Sequence, residues 1–477
     1  MARTIGARRI GVFFVDGDRF EPLDSAVTLS PDLGELAGRG QWGEYAAGDD
    51  VTVFPAAGLT GEVRGALVVE VPEAAFGEGM RRLVRAFAHH LGTALEIRRY
   101  REQLTAAETR RAESRRELRA RGIETTGICP TCWRCFPQRD EGPAVCPDDG
   151  ATLDATRLLP LVVQARYRLE RLLGEGGMGT VFSGQDEKLG RAVALKIIKA
   201  EHLHQPAMRF RLEREARAIA RVRHPGVIAL YDSGEVEDGS AFLVMELLSG
   251  CDLASLMESS GPGTPAQVAS VVVQAGSALV AAHRAGVIHR DVKPGNLFLV
   301  PDEKRGFQVK VLDFGLARTT RTDTRVTVSG IVAGTPAYMP PEQLRGEESD
   351  DRSDLYSLAA AAYEALSGQR AVTTSTQLGT AAVEVLTAVP APLSRVVPSV
   401  PEALDAAFAA ALAKRPSDRP TSLEAWVVEV GRELAAMPVP AGWRGWSEPA
   451  LRCPPRGGRR RAALTTHPWL PPSAWRR

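Results

Sequence analysis

Asp291 stands in the segment His289-Arg-Asp291-Val-Lys293-Pro-Gly-Asn296, which sets a carboxylate, an ammonium and a carboxamide in one short loop. A second carboxylate, Asp313 of Asp313-Phe-Gly315, follows the mostly apolar residues 309–312, and Lys196 closes the strand-like Val193-Ala-Leu-Lys196. Upstream, Gly174-Glu-Gly176-Gly-Met-Gly179-Thr-Val181 follows the strand-like residues 169–173, and its glycines let a hairpin backbone approach a phosphate closely. Singly, each has a bland reading: glycine-rich turns are common, and a lone lysine on a strand is normally a surface charge. Together they offer what phosphoryl transfer from ATP demands of a protein, namely clamped phosphates, metal ions held against them and an oriented hydroxyl.

The order and spacing of these blocks, collinear over residues 167–431, resemble the protein kinase family. The resemblance implies an α+β, two-lobed fold: a small five-stranded antiparallel sheet with one helix, then a mainly helical lobe, with ATP in the cleft between them. It implies that Asp291 orients the substrate hydroxyl and accepts its proton, that Lys293 steadies the transferring phosphate, and that Asn296 and Asp313 hold Mg2+ (or Mn2+). Lys196 would reach the α- and β-phosphates, held by a glutamate of the next helix; residues 210–222 offer Glu213 and Glu215, and the offset from His224-Pro225 selects Glu215. Leu173, Gly174, Gly176, Gly179, Val181 and Ala194 would enclose the nucleotide, with Met245, Glu246 and Leu248 as gatekeeper and hinge. Pro340-Pro341-Glu342 stands where the family has Ala-Pro-Glu, and Glu342 would pair with Arg419. Asp354 would lie buried beneath the catalytic loop. A lysine two residues past Asp291 is the serine/threonine version of that loop, so the implied activity is a serine/threonine protein kinase, with protein Ser/Thr groups as acceptors. The alternative is a pseudokinase scaffold, against which Lys196, Asp291, Asn296 and Asp313 are all in place.

The resemblance also suggests a switch. Arg290 should stay poorly compensated until an anion approaches, and a phosphate on the following segment would supply one. Thr327 and Ser329 are the candidate autophosphorylation sites, by their offsets from Thr335.

Four of the six cysteines fall at Cys129, Cys132, Cys135 and Cys146. Cys129-Pro-Thr-Cys132 lets two sulfurs of one turn bind the same tetrahedral ion, and Cys146-Pro-Asp-Asp-Gly150 supplies a ligand from a second turn. Residues 125–155 resemble the small zinc ribbons found beside kinase domains in some bacterial proteins. A second Cys-x-x-Cys would need cysteine where Asp149 stands, so Cys135 or Asp149 completes the shell; the softer thiolate of Cys135 is favoured. The ion, structural Zn2+, would fold a segment too short to bury a core.

These blocks need elements to position them, and the chain has room for more than one domain. Residues 1–97 alternate short apolar runs with turn-rich segments, as in a small α/β domain. Its Gly65-Ala-Leu-Val-Val-Glu70 and the helix through Ala88-His-His-Leu91 resemble the closing strand and helix of GAF-type sensor domains, which implies a small-molecule ligand; an unrelated α/β domain has the same pattern. Leu83, Phe87, Leu91 and Leu95 recur along that helix, which continues as a charged connector over 98–124 and raises the question of a homodimer. Residues 438–477, rich in Pro, Trp and Arg without hydrophobic period, read as a disordered tail. A formal net charge of +1 gives no global reason to invoke nucleic acid or a membrane. No signal-peptide core or uninterrupted membrane-length apolar run is seen, and the clustered thiols suit a reducing compartment, so a cytoplasmic location is expected.

Overall fold

The computed structural model describes residues 9–16, 19–22, 45–48, 51–57, 63–70, 77–138, 144–176, 179–199, 206–236, 239–314, 336–375, 378–397, 400–440 and 442–451. The chain divides into two compact units, Met1–Glu117 and Leu118–Arg477.

In the first unit, β1 (Arg9–Asp16), β2 (Arg19–Pro22), β3 (Tyr45–Gly48), β4 (Val51–Ala57) and β5 (Val63–Glu70) form an antiparallel sheet in the order β2-β1-β5-β4-β3. Helix α1 (Glu78–Ala120) follows, so the resembling strand and helix are both formed. Phe54, Leu67 and Val69 bury against Val84 and Ala88, with Leu91 alongside. Of the residues that recur every four along this helix, Leu83 and Phe87 are 42% and 45% exposed. A strict four-residue repeat advances by about 40° per step around a helix of 3.6 residues per turn, and the buried face instead follows 84, 88 and 91.

The second unit opens with the paired strands β6 (Thr126–Ile128) and β7 (Cys135–Pro137). Next come β8 (Val162–Val163), β9 (Tyr167–Gly176), β10 (Gly179–Asp186), β11 (Arg191–Ile198), α2 (Pro206–Ala220), β12 (Leu230–Glu235) and β13 (Ala241–Glu246). Among the described residues the sheet has six strands, in the order β12-β13-β11-β10-β9-β8, not the expected five. The added strand, β8, lies just before the kinase-like region and pairs Val162 with Arg168 and Val163 with Tyr167 on the β9 edge.

The helical lobe contains β14 (Cys251–Asp252), α3 (Leu253–Ser260), α4 (Pro265–Arg284), β15 (Leu297–Asp302), β16 (Gly306–Val311), α5 (Pro341–Leu344), α6 (Asp351–Ser367), α7 (Leu378–Thr387), α8 (Glu402–Ala411), α9 (Leu423–Ala436) and α10 (Glu448–Leu451). Helix α4 starts where Thr264 and Gln267 cap each other reciprocally. It is the one described helix long and apolar enough to cross a membrane, yet Val268, Val271, Val272, Ala275, Ala278, Leu279 and Ala282 are all spent in the lobe's core. It meets α9 at Gly276, where a Cβ would lie 2.3 Å from Val427 Cγ2 and 3.2 Å from Val427 Cβ. Both methyls of Val427 and its Cβ lie within 3.2 Å of that position, so the valine must shift to admit a methyl. Gly276→Ala should therefore lose about 1–2 kcal/mol net in urea unfolding, overpacking outweighing the better helix propensity of alanine.

The disordered-tail expectation is corrected over 438–451. Trp446 and Leu451 are buried in the helical lobe's core, with Trp443 packed against it. The Trp446 indole N–H donates to Gly261 O at 3.0 Å, and Gln267 bonds both the N–H and the C=O of Trp446. A few large anchors dock this segment without any period for a sequence pattern to reveal. Residues 452–477 lie outside the described residues.

Candidate active site

Three backbone devices build the catalytic loop. Asp354, buried near the start of α6, accepts from His289 N and Arg290 N, both at 2.8 Å, and contacts His283 Nε2 at 2.7 Å. His289 Nε2 reaches Leu312 O at 2.8 Å, tying the loop to the residue before Asp313, and its ring lies 4.6 Å from that of buried Phe314. Arg290 and Asp313 both take left-handed backbone, with φ of 63° and 52°, a conformation that side-chain-bearing residues hold only where their surroundings impose it.

On that frame, Lys293 Nζ lies 2.6 Å from Asp291 Oδ2, while Asn296 Nδ2 donates to Asp291 O at 2.8 Å and to Asp291 Oδ2 at 3.1 Å. Lys196, on β11, reaches Asp313 Oδ1 at 2.6 Å. Burial would push the Asp313 carboxyl up, but Lys196 foremost, together with His289 and Lys293, offsets it and holds the group below the usual carboxylate value. Its charge is thus available to a cation across the neutral pH range.

The cleft beside this cluster has a volume of about 1310 Å³ and is lined by Leu173, Gly174, Val181, Ala194, Met245, Glu246, Leu248, Leu312 and Asp313. Glu246 spends its carboxylate on the fold, accepting from Ala229 N at 2.8 Å and from Lys310 Nζ at 2.6 Å. Gly174 and Gly176 face open space, whereas a Cβ on Gly179 would lie 2.1 Å from Ile197 O. Glycine is therefore demanded at 179 by strand packing, and among the described residues nothing lies within 4 Å of a Cβ built at 174 or 176. Leu312 and Asp252 also line the cleft and were not anticipated; an apolar residue before Asp313 and an aspartate that caps α3 carry no local signal of that role.

Glu215 is placed differently from expectation. Its Oε1 lies 3.7 Å from Arg290 NH1, and Lys196 is paired with Asp313 instead. The same contact corrects the expectation that Arg290 stays poorly compensated, because a carboxylate from α2 already faces it. The pairing depends on where α2 sits against the lower lobe, a long-range matter that the spacing from His224-Pro225 does not report. Thr327 and Ser329 lie outside the described residues.

Glu342 and Arg419 form the expected pair, with both carboxylate oxygens at 2.7 Å from guanidinium nitrogens and both side chains essentially unexposed.

At the cysteine segment the structure gathers Cys129, Cys132, Cys146 and Asp149, all ligand atoms within 4.8 Å of one another. Cys135 is not among them, which corrects the favoured fourth ligand. Its residue pairs with Ile128 in the small sheet and packs against the upper-lobe core, where burial pushes its thiol up to about 12. Strand alternation explains this: once the hairpin forms, residue 135 faces the kinase-like sheet, while Asp149 is carried in by the 146–151 turn, closed by Cys146 N to Ala151 O and Gly150 N to Cys146 O.

A family model described as protein kinase domain matches residues 167–429, more than half of the chain. The chain belongs to the protein kinase family. Among its relatives, serine/threonine-protein kinase pkn3 of Myxococcus xanthus is 39% identical over 284 residues, covering 58% of this chain and 52% of that protein. Serine/threonine-protein kinase PknE of Mycobacterium tuberculosis is 40% identical over 253 residues, 53% of this chain and 43% of that one. The chain thus spans about half the length of these relatives. The crystal structure of the Mycobacterium tuberculosis PknI kinase domain superposes with a TM-score of 0.46 at 28% identity, over 56% of this chain and 96% of that one.

Proposed function

We propose that this chain is a serine/threonine protein kinase that transfers the γ-phosphate of ATP to Ser/Thr hydroxyls of proteins. The observation that carries the reading is the joining of Asp291, Lys293 and Asn296 in one hydrogen-bonded cluster, tied through His289 and Leu312 to the Lys196 and Asp313 pair. The Asp291 carboxylate would accept a hydroxyl proton once Lys293 turns to the phosphate. The ionised Asp313 carboxylate and the carboxamide oxygen of Asn296, whose Nδ2 is engaged by Asp291, form a hard oxygen set suited to Mg2+. When bound, that ion neutralises charge on the β- and γ-phosphates. Lys196 would then leave Asp313 for the α- and β-phosphates. Full chain given magnesium and γ-labelled ATP should label serine or threonine, on itself or on a protein acceptor. A product lacking label with magnesium and with manganese overturns the reading and favours the scaffold.

Activation by autophosphorylation of Thr327 and Ser329 belongs to the same proposal. A phosphate there would compete with Glu215 for Arg290 and free that glutamate for Lys196. Phosphopeptide mapping after incubation with Mg-ATP should find at least one of the two modified; finding neither discards the assignment.

The proposal extends to a reducing, cytoplasmic setting, supported by the free thiols at 129, 132, 135, 146 and 251. The strand and helix β5 and α1 support a small-molecule sensor role for the first unit. Pairing of two copies through the exposed apolar residues of α1 is the proposed oligomeric state, and sedimentation of the full chain tests it. Structural zinc in the ribbon completes the proposal, supported by the donor set at Cys129, Cys132 and Cys146.

A further inference from the structure

We infer that a thiophilic divalent cation held by Cys129, Cys132, Cys146 and Asp149 tightens nucleotide binding, because the turn carrying the ligands is bonded directly to the strand that roofs the cleft. The inference rests on the kinase reading of that cleft.

The four donor atoms lie within 4.8 Å of one another, and the Cys132–Cys146 and Cys129–Asp149 spacings approach those of a tetrahedral zinc shell. With Zn–S near 2.3 Å and Zn–O near 2.0 Å, a tetrahedron has S···S edges of about 3.8 Å and S···O edges of about 3.5 Å. Cys132 Sγ lies 3.7 Å from Cys146 Sγ, and Cys129 Sγ lies 3.2 and 3.4 Å from the Asp149 oxygens. Thr131 N and Cys132 N both point at Cys129 Sγ at 3.3 Å, an arrangement that stabilises a thiolate. Cys129 and Cys146 are buried.

The first ligand turn continues straight into the kinase sheet. Trp133, next to the ligand Cys132, holds a left-handed φ of 64° and donates to Cys129 O at 3.0 Å. Its own carbonyl accepts from Leu172 N at 2.8 Å, and Leu173 lines the nucleotide cleft. Arg134 bridges to Arg171 of the same strand. The Trp133 side chain packs against the upper-lobe core, the cluster to which Leu172 belongs. A second strap runs from the far end of the ribbon, where Arg157 lies 3.6 Å from Asp154 and 2.5 Å from Glu175, the residue between Gly174 and Gly176.

What makes this a coupling is the ribbon's lack of an independent core. Its cluster has Cys129, Cys146 and Leu153 as buried members, with Cys132, Phe136, Ala144 and Ala151 half-buried around them, so two of the three buried residues are themselves ligands. Ion binding is then the free energy that orders the turn, and an ordered turn holds Leu172 and Glu175 where the phosphates and base must fit. By linkage, nucleotide must tighten the ion by the same factor.

The test uses full chain, zinc-loaded or stripped with a zinc-selective chelator, titrated with a fluorescent ATP analogue in magnesium. The zinc form should bind at least about fivefold tighter, and zinc titrations with and without saturating analogue should show the same ratio. Cobalt substitution should give thiolate-to-cobalt absorption that survives Cys135→Ala and is altered by Asp149→Ala. Because cysteine variants can simply unfold the ribbon, Arg157→Ala is the companion: it should keep one equivalent of zinc while lowering the affinity ratio. Equal analogue affinity in both forms overturns the coupling and leaves the kinase reading intact, and so does a chain that takes up no zinc. Failure of the analogue to bind either form overturns both.

Discussion

Replacing Asp291 by asparagine is expected to slow phosphoryl transfer by about 10²- to 10⁴-fold, the usual share of a positioned general base, while leaving nucleotide affinity near that of the parent. The split follows from geometry. Asparagine keeps the shape of the side chain, and the Asn296 Nδ2 bond to the backbone oxygen of residue 291, at 2.8 Å, is untouched. The frame under the loop is also untouched, because Asp354 holds the N–H groups of His289 and Arg290 and makes no bond to the residue 291 side chain. What disappears is the anionic oxygen that faces Lys293 at 2.6 Å and would take the hydroxyl proton. Lys196→Met should behave differently, since its ammonium is the partner of Asp313 and the proposed clamp for phosphate, so analogue affinity and rate should fall together. Single-turnover transfer of labelled γ-phosphate, set beside analogue titration, separates the two. An Asp291→Asn chain that transfers at the parental rate would remove Asp291 from the chemistry.

What was legible in the sequence and what was not divide along contact range. The loop from His289 to Asn296 builds its own cluster within a few residues, so its side chains meet wherever the segment folds as it does, and Asp291, Lys293 and Asn296 could be read as a unit. Glu342 and Arg419 are far apart in sequence, yet the family resemblance named the pair and the structure has it. The misses are tertiary. Asp149 stands in for Cys135 because hairpin alternation turns residue 135 toward the sheet, a register that softness of ligands says nothing about. Glu215 faces Arg290 because of where α2 lies, and an offset along the chain cannot distinguish that from a contact with Lys196. Trp446 docks by one indole and one glutamine, below the threshold of any periodic signal. Leu83, Phe87, Leu91 and Leu95 recur along α1, yet the buried face follows Val84, Ala88 and Leu91, a phase set by packing on Phe54, Leu67 and Val69.

Arg419→Ala should be the most destabilising single change in the helical lobe, at about 3–5 kcal/mol, because it strands a buried carboxylate. The Arg419 guanidinium meets both oxygens of Glu342 at 2.7 Å and further donates to Ala413 O at 2.8 Å and Arg352 O at 3.0 Å; Ser353 Oγ adds a bond to Glu342 Oε1 at 2.7 Å. With no solvent access to either partner, nothing replaces the guanidinium when it is lost. Burial alone would raise the Glu342 carboxyl, and the Arg419 and Ser353 bonds outweigh it, so its folded pKa lies below the ordinary 4.5. A depressed carboxyl contributes stability that is present above its unfolded value and is lost as pH falls through the folded one. The parent should therefore lose this contribution below about pH 4.5, and the pH dependence assignable to Glu342 should vanish in Glu342→Gln. Arg419→Ala with Glu342→Gln should recover part of the loss, since the double variant leaves no buried charge without a partner. Urea unfolding of the four chains from about pH 2.5 to about pH 7, spanning the fall through the depressed carboxyl, measures all three effects. A double variant no more stable than Arg419→Ala alone would mean that the cost lies in the guanidinium's carbonyl contacts, and not in the stranded carboxylate.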